Sequence, residues 1–409
     1  MRIIIEREGM SVFSAVFVML TTMMGSGVIM LPCAFRGLGY ILGPVILIFL
    51  GFLSFFTLYS IGYATSKSET DILTYFNVCN KFSPILSYVA DISFILQGTG
   101  CCFVYLTALK NWISLLFKSK NLALFLEIIL MSIILILSIQ KNLTRLRYVS
   151  IISVISTVYL AILMIYYYFK LKDYIENVII IPFNTDFSLS LPIIIFSLGC
   201  HQNLVKIYSE LNSRNLKTIT IVSLISICLG SIIYTIIGLV GYILIGQNSK
   251  YNILEYFMKN QEILKTLIST KSWDKNLVLI KMALIAFIIV TVCSFPIQIQ
   301  PARDAFLNIY YLLSKKNVIE MGRKKNEKDK LILSLILSTT LIFISWLIDL
   351  DLEKLIKFIG ATVMNFVVYL FPSILYLFSV TRFKSGSIVA LLISLFSFIS
   401  MSYLIFFSK

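Results

Sequence analysis

Apolar runs of about 20 residues recur from one end of this chain to the other, and no other feature restricts its folding as much. A helix rises about 1.5 Å per residue, so one such run matches the hydrocarbon thickness of a bilayer. Runs near 11–35, 40–64, 84–109, 122–140, 148–170, 188–211, 217–246, 276–300, 331–348, 355–380 and 386–407 predict about eleven membrane helices. In hydrocarbon every backbone polar group must be bonded inside the protein, and helices do this within one segment. The expected fold class is therefore all-α and polytopic. A short tail over residues 1–9 leads into one transmembrane domain over 10–409.

Composition agrees. Of 409 residues, 58% are hydrophobic and 13% charged, against about 25% charged in a soluble domain. Such a chain cannot cover a globule with water-compatible groups, which argues against a soluble enzyme. The formal charge of +15 sits in short clusters between the apolar runs, so the expected partner is the lipid bilayer and not a nucleic acid. With the N-terminus in the cytosol, about 20 Lys and Arg fall inside and about 15 outside, the outer total being raised by the long 247–275 loop. Arg2, Arg7, Lys141, Arg145, Arg147, Arg214, Lys217, Arg382, Lys384 and the 301–330 connection are the cytosolic markers. This orientation puts the sequon Asn142-Leu143-Thr144 on the cytosolic side. The first residues show no signal-peptide pattern, so the first membrane helix is expected to direct insertion. The seven cysteines form no metal-binding spacing and read as small packing residues; no metal or organic cofactor is expected.

Two apolar runs are interrupted at related places. The first carries Thr21-Thr22-Met23-Met24-Gly25-Ser26-Gly27-Val28 with Pro32 beyond, and the sixth carries Ser197-Leu198-Gly199-Cys200-His201-Gln202-Asn203. Glycine costs about 1 kcal/mol relative to alanine inside a helix, so these clusters favour unwinding. Unwinding frees backbone groups that must line a cavity or bind something. Gly25 and Gly199 each open a five-span unit, about 11–170 and about 188–380, with 386–407 appended. An odd number of spans per repeat inverts the second unit, the design of carriers with broken helices at the midplane. Half-helix N-termini there favour a carboxylate, and freed carbonyls favour an ammonium or a cation.

These residues resemble the amino acid/auxin permeases, which include sodium-coupled neutral amino acid transporters and fungal vacuolar amino acid transporters. Thr22-Met23-Met24-Gly25-Ser26-Gly27-Val28 with Leu31-Pro32 is similar to the family's first-helix signature. Cys200-His201-Gln202-Asn203 with Ile207-Tyr208 and Glu210-Leu211 resembles its sixth helix. Leu146-Arg147-Tyr148 with Ser150, Phe295-Pro296 with Pro301-Ala302-Arg303, and Gly360-Ala361-Thr362 with Phe371-Pro372 follow in order. The resemblance implies the bacterial leucine transporter fold, with broken helices 1 and 6 and one extra helix, moving amino acids by alternating access. It places the substrate carboxylate against the backbone of Met24, Gly25, Ser26 and Gly27 and the amino group against carbonyls around Ser197, Leu198 and Cys200, with Thr22, Met23 and Gly199 also in the substrate site. Gly98, Gly100, Cys101 and Asn365 would face the substrate side chain. Sodium-coupled members carry asparagine where this chain has Thr21, and many carry an aspartate where it has Ala108-Leu109-Lys110. The coupling ion implied is H+ or Na+, and the membrane a plasma membrane or a vacuolar or lysosome-like one.

Candidate ion residues are Thr21, Thr291, Ser294 and His201. His201 is the single histidine; beside the sixth-helix break it suits a proton relay, or a fixed cap for freed carbonyls. Thr291 and Ser294 offer hydroxyl ligands between spans 1 and 8, although such hydroxyls also bond their own helix. Lys281 and Glu127 read as snorkelling side chains, and Asp91 as a residue meeting cytosolic water. A monomer is expected. An amino-acid sensor without net transport is the alternative, and a membrane-embedded transferase the weaker one, since one histidine without a nearby acidic partner makes a poor catalytic set.

Overall fold

The computed structural model describes residues 9–68, 70, 73–117, 119–140, 142–171, 186–246, 252–261, 273–314, 327–348, 350–380 and 385–407. Residues 1–8 of the N-terminal tail, Lys141, the 315–326 part of the basic connection, Arg382 and Lys384 lie outside the described residues. In chain order the helices are α1 (Val12–Met23), α2 (Leu31–Lys67), α3 (Tyr75–Phe82), α4 (Pro84–Leu116), α5 (Lys120–Ser138), α6 (Arg147–Leu171), α7 (Phe187–Ser197) and α8 (Leu204–Glu210). They continue with α9 (Leu216–Ile245), α10 (Ile253–Lys259), α11 (Trp273–Leu313), α12 (Glu327–Leu347), α13 (Leu352–Ile359), α14 (Phe371–Ser379) and α15 (Ser385–Phe407). Among the described residues, eight helical stretches are long and apolar enough to cross a membrane; α1 and Ser385–Ser400 are shorter apolar helices.

Each apolar run of the sequence becomes helix, and the departures have local causes. The Ser11 hydroxyl accepts from the Ser14 N–H at 3.2 Å and starts α1. After the break a 3₁₀ turn at Val28–Met30 leads straight into α2, with Pro32 in its first turn, where a missing N–H breaks no bond. The expected connection between the first two spans shrinks to one joint, Gly39, whose φ of 79° is a conformation glycine takes without strain. The eighth run does not stop at 300. α11 continues through Pro296 and Pro301 to Leu313, about 60 Å in all, twice the hydrocarbon thickness. The tenth run is interrupted by two π-helical stretches, Gly360–Met364 and Phe366–Leu370.

α1 is enclosed by α6, α9 and α11, while α2 packs along α9 and against α7, and α4 packs along α11. Residues 18–35 and 192–205, which contain both sequence breaks, are buried without exception. A helix apolar all round belongs in such an interior. The outside is apolar too: Ile41, Val45, Ile48, Phe49 and Phe52 form one exposed face of α2 at helical spacing, as a lipid-facing surface requires.

Asp91 corrects the sequence reading. It is buried in α4 and accepts from the Asn308 amide at 3.2 Å instead of facing water. At the same end of the bundle the chain ties itself together. The Met10 N–H donates to Glu210 O at 2.6 Å and the Asn212 N–H to Met10 O at 3.0 Å. The Glu210 carboxylate accepts from Leu143 N at 3.1 Å, Thr144 N at 2.7 Å and the Thr144 hydroxyl at 2.6 Å.

Candidate functional site

The first break begins where α1 makes its last helical bond, Met24 N to Leu20 O at 2.7 Å. Helical bonding resumes loosely, with Val28 N to Gly25 O at 3.3 Å and Met30 N to Gly27 O at 3.0 Å. The freed carbonyls of α1 turn toward α11. Ser294 Oγ lies 3.4 Å from Thr21 O and 3.3 Å from Met24 O, and Gln298 Nε2 donates to Thr22 O at 3.0 Å. Ser26 is buried, and its hydroxyl has no hydrogen-bond partner among the described residues.

The second break follows α7. Leu198 N donates to Ile194 O at 3.1 Å and Gly199 N to Phe196 O at 3.3 Å; a 3₁₀ turn at His201–Asn203 then opens α8. Side chains from three other helices hold it. Tyr234 Oη of α9 donates to Ser197 O at 3.0 Å, and Tyr75 Oη of α3 donates to His201 O. Burial pushes the Tyr75 phenol well above its ordinary range, so it stays a neutral donor. His201 Nε2 lies 2.8 Å from Thr57 Oγ1 of α2. That hydroxyl is 3.0–3.1 Å from the Ser54 and Leu53 carbonyls, so it donates to α2 and leaves Nε2 to supply the proton to it.

The two breaks touch. A Cβ placed on Gly27 would stand 2.7 Å from Ser197 Oγ and 2.8 Å from Phe196 Cδ1. A Cβ on Gly25 would overlap the Tyr105 phenol of α4, and one on Gly199 would overlap Met364 Cε. Absent side chains at the three glycines thus let Tyr105, Phe196 and Met364 close around the junction.

The residues singled out in the sequence divide clearly. Thr22 to Gly27 and Ser197 to Cys200 come together in the buried centre. Thr21, Met24 and Ser294 meet through their oxygens, but the Thr21 hydroxyl itself donates to Ser150 O at 2.9 Å. Thr291 bonds its own helix, to Phe287 O at 2.8 Å. His201 stands on the α2 side of the second break, apart from that oxygen cluster. Among the expected selectivity residues, Asn365 bonds Ser400 and Ser397 of α15 at 2.9 and 2.7 Å and so faces away from the breaks. Gly98 packs on Gln298 and Ala302, and Gly100 on Ile359. Sequence reasoning missed Gln97, Tyr105, Tyr234 and Gln298. A signal existed for the two glutamines, each an amide set in an apolar run, where polar groups are costly. The two tyrosines carried none, since tyrosine is common in such runs here.

Among the described residues no group of three or more His, Cys, Asp or Glu side chains is placed to hold a metal. What the site offers is neutral: backbone groups, hydroxyls, amides and aromatic walls.

The family described as transmembrane amino acid transporter protein matches residues 8–408. Vacuolar amino acid transporter 5 of Schizosaccharomyces pombe is 23% identical over 377 residues, covering 90% of this chain and 84% of that protein. Solute carrier family 38 member 8 of Mus musculus is 26% identical over 271 residues, covering 61% of each. The crystal structure of MhsT in complex with L-phenylalanine superposes with a TM-score of 0.60 over 97% of this chain and 98% of that one, at 12% identity. The fold is thus the leucine transporter type that the sequence motifs implied.

Proposed function

The chain belongs to the transmembrane amino acid transporter family, and from that premise we propose that it is a secondary active carrier working by alternating access. The observation that carries this reading is the meeting of two helix breaks in the buried core, with Gly27 against Ser197. The substrate lies between them. Its carboxylate takes the N-terminal end of the half-helix that follows Gly25, Ser26 and Gly27, where N–H groups and the helix dipole favour an anion. Its ammonium takes carbonyls of 197–200, of which Ser197 O is now bonded by Tyr234. Among the described residues, the side chains touching the breaks carry no charge: Tyr105, Phe196, Tyr234, Ser294, Gln298 and Met364. A substrate with an uncharged side chain therefore fits best, because an unpaired charge in such a place is strongly disfavoured.

The ion site in this reading is Ser294 Oγ with Thr21 O and Met24 O. Oxygens 3.3–3.4 Å apart match neighbouring ligands of a shell with metal–oxygen distances of about 2.4 Å. His201 is the titratable alternative for proton coupling. In the full reading the chain crosses a plasma or vacuolar membrane eleven times as a monomer. Its N-terminus is cytosolic, its two five-span units are inverted, and α15 is appended. Uptake of labelled amino acids by proteoliposomes, under separate sodium and proton gradients at fixed potential, tests the proposal. Accumulation driven by one gradient is expected; binding without accumulation would favour a sensor. A tag at the N-terminus should resist protease added outside and one after Lys409 should not; both termini on one side would sink the eleven-span topology.

A further inference from the structure

Beneath the first break lies a group of amides that neither the substrate nor the ion reading uses. Gln298 of α11 is its hub. Its orientation is set by a carbonyl: Nε2 donates to Thr22 O at 3.0 Å, with Tyr105 Oη 3.4 Å away, so Oε1 must be the accepting end. Gln97 Nε2 of α4 and Gln202 Nε2, beside α8, both donate to that Oε1, at 3.2 and 2.7 Å. Turning either amide over would set oxygen against oxygen. Asn203 is fixed the same way, its Nδ2 lying 3.2 Å from Ile297 O. Three amide oxygens are thereby left as acceptors: Gln97 Oε1, Gln202 Oε1 and Asn203 Oδ1. All three are buried, and none has a hydrogen-bond partner among the described residues.

An amide oxygen buried without a donor costs on the order of 1–3 kcal/mol, so three of them, on side chains bonded to the adjacent residues Ile297 and Gln298, point to a positive or proton-bearing occupant. Two of them belong to side chains that meet at a single atom, and the third follows Gln202 in the chain. The ligand set is hard oxygen without a carboxylate, which suits a small monovalent cation and disfavours a divalent one, for which anionic oxygen ligands are the usual partners. The nearest cation on the same helix, Lys206, is engaged with Gln300 Oε1 at 2.6 Å and Asp304 at 3.5 Å, so its charge is countered. We propose that Gln97, Gln202 and Asn203, aligned by Gln298, form a binding site for a small monovalent cation, separate from the Ser294 oxygens one turn earlier on α11. An ion held there joins α4, α8 and α11, the last of which grips α1 through Thr22.

The site does not rest on the transport reading, and its test needs no transport. The purified full-length protein is melted in sodium, lithium or potassium chloride and in choline chloride at equal ionic strength. At least one small cation should raise the melting temperature of the unaltered protein by about 3 °C over choline. Ser294→Ala, which removes the other ion site, should keep part of that rise, and adding Gln97→Met or Gln202→Met to it should abolish what remains. Gln97→Glu, which adds a charge at the same length, should lower the half-saturating cation concentration by about tenfold; this gain cannot come from damage to the fold. No cation-dependent rise in the unaltered protein would overturn the proposal and leave internal water as the occupant. So would a rise that Ser294→Ala abolishes while the glutamine variants keep it, or a Gln97→Glu variant of unchanged or weaker affinity.

Discussion

The two helix breaks occupy the same buried centre but are kept open by different means. The first carries two glycines, and among the described residues the side chains that take its freed carbonyls, Ser294 and Gln298, come from α11. The second carries one glycine and a polar run, and α2, α3 and α9 brace it through Thr57, Tyr75 and Tyr234. Two close-packed glycines and one bracing helix maintain the first; one glycine and three bracing helices maintain the second. A side chain added to the first should therefore do more harm than one added to the second, whereas deleting a brace should matter at the second.

Gly25→Leu is expected to have the largest effect. Its branched side chain would enter the Tyr105 phenol and the carboxylate position together, and uptake should fall at least about 100-fold, a loss of about 3 kcal/mol. Normal uptake by that variant, with the protein present in the membrane, would remove the substrate site from the first break. Alanine sharpens the contrast. At Gly25 the added Cβ meets a rigid ring, but at Gly199 it meets the end of the flexible Met364 side chain. Uptake should drop about tenfold for Gly25→Ala and only about threefold for Gly199→Ala, because methionine can shift at little cost; the reverse order would erase the distinction between the breaks. Tyr234→Phe removes one brace from Ser197 O and should reduce uptake about fivefold, the worth of a single hydrogen bond. A variant indistinguishable from the parent in initial rate would mean that the second break holds itself. Thr291→Ala should be the mildest, within twofold, because that hydroxyl only bonds its own helix. If it abolished the ion dependence of uptake, the ion site would have to include Thr291.

The membrane class, the apolar runs and both breaks were legible from sequence because each rests on local composition: length of apolar run, or glycine in a helix interior. The joint at Gly39 was not, since a chiral bend of one residue leaves no gap in hydropathy. Nor was the extension of α11 to Leu313, where two prolines and a more polar segment read as an ending. The site was only half legible. Backbone groups of 22–27 and 197–200 could be placed from the breaks themselves, but their partners come from positions far along the chain. Tyr105 at Gly25 and Gln298 at Thr22 are tertiary choices. Asn365 shows the converse error: a polar residue expected at the centre spends its amide on α15.

Glu210 is a shared fastening point for three segments. Its carbonyl takes Met10 N, and its carboxylate takes two amides and a hydroxyl from residues 143–144. One residue thus fastens the entry to α1, the end of α8 and the turn before α6. These bonds converge on one residue, so a shift of Glu210 strains all of them together. Separation of α1 from α8 at this end is expected to be switch-like, with few half-open forms, and a small disturbance at the start of the chain would be felt across the whole face.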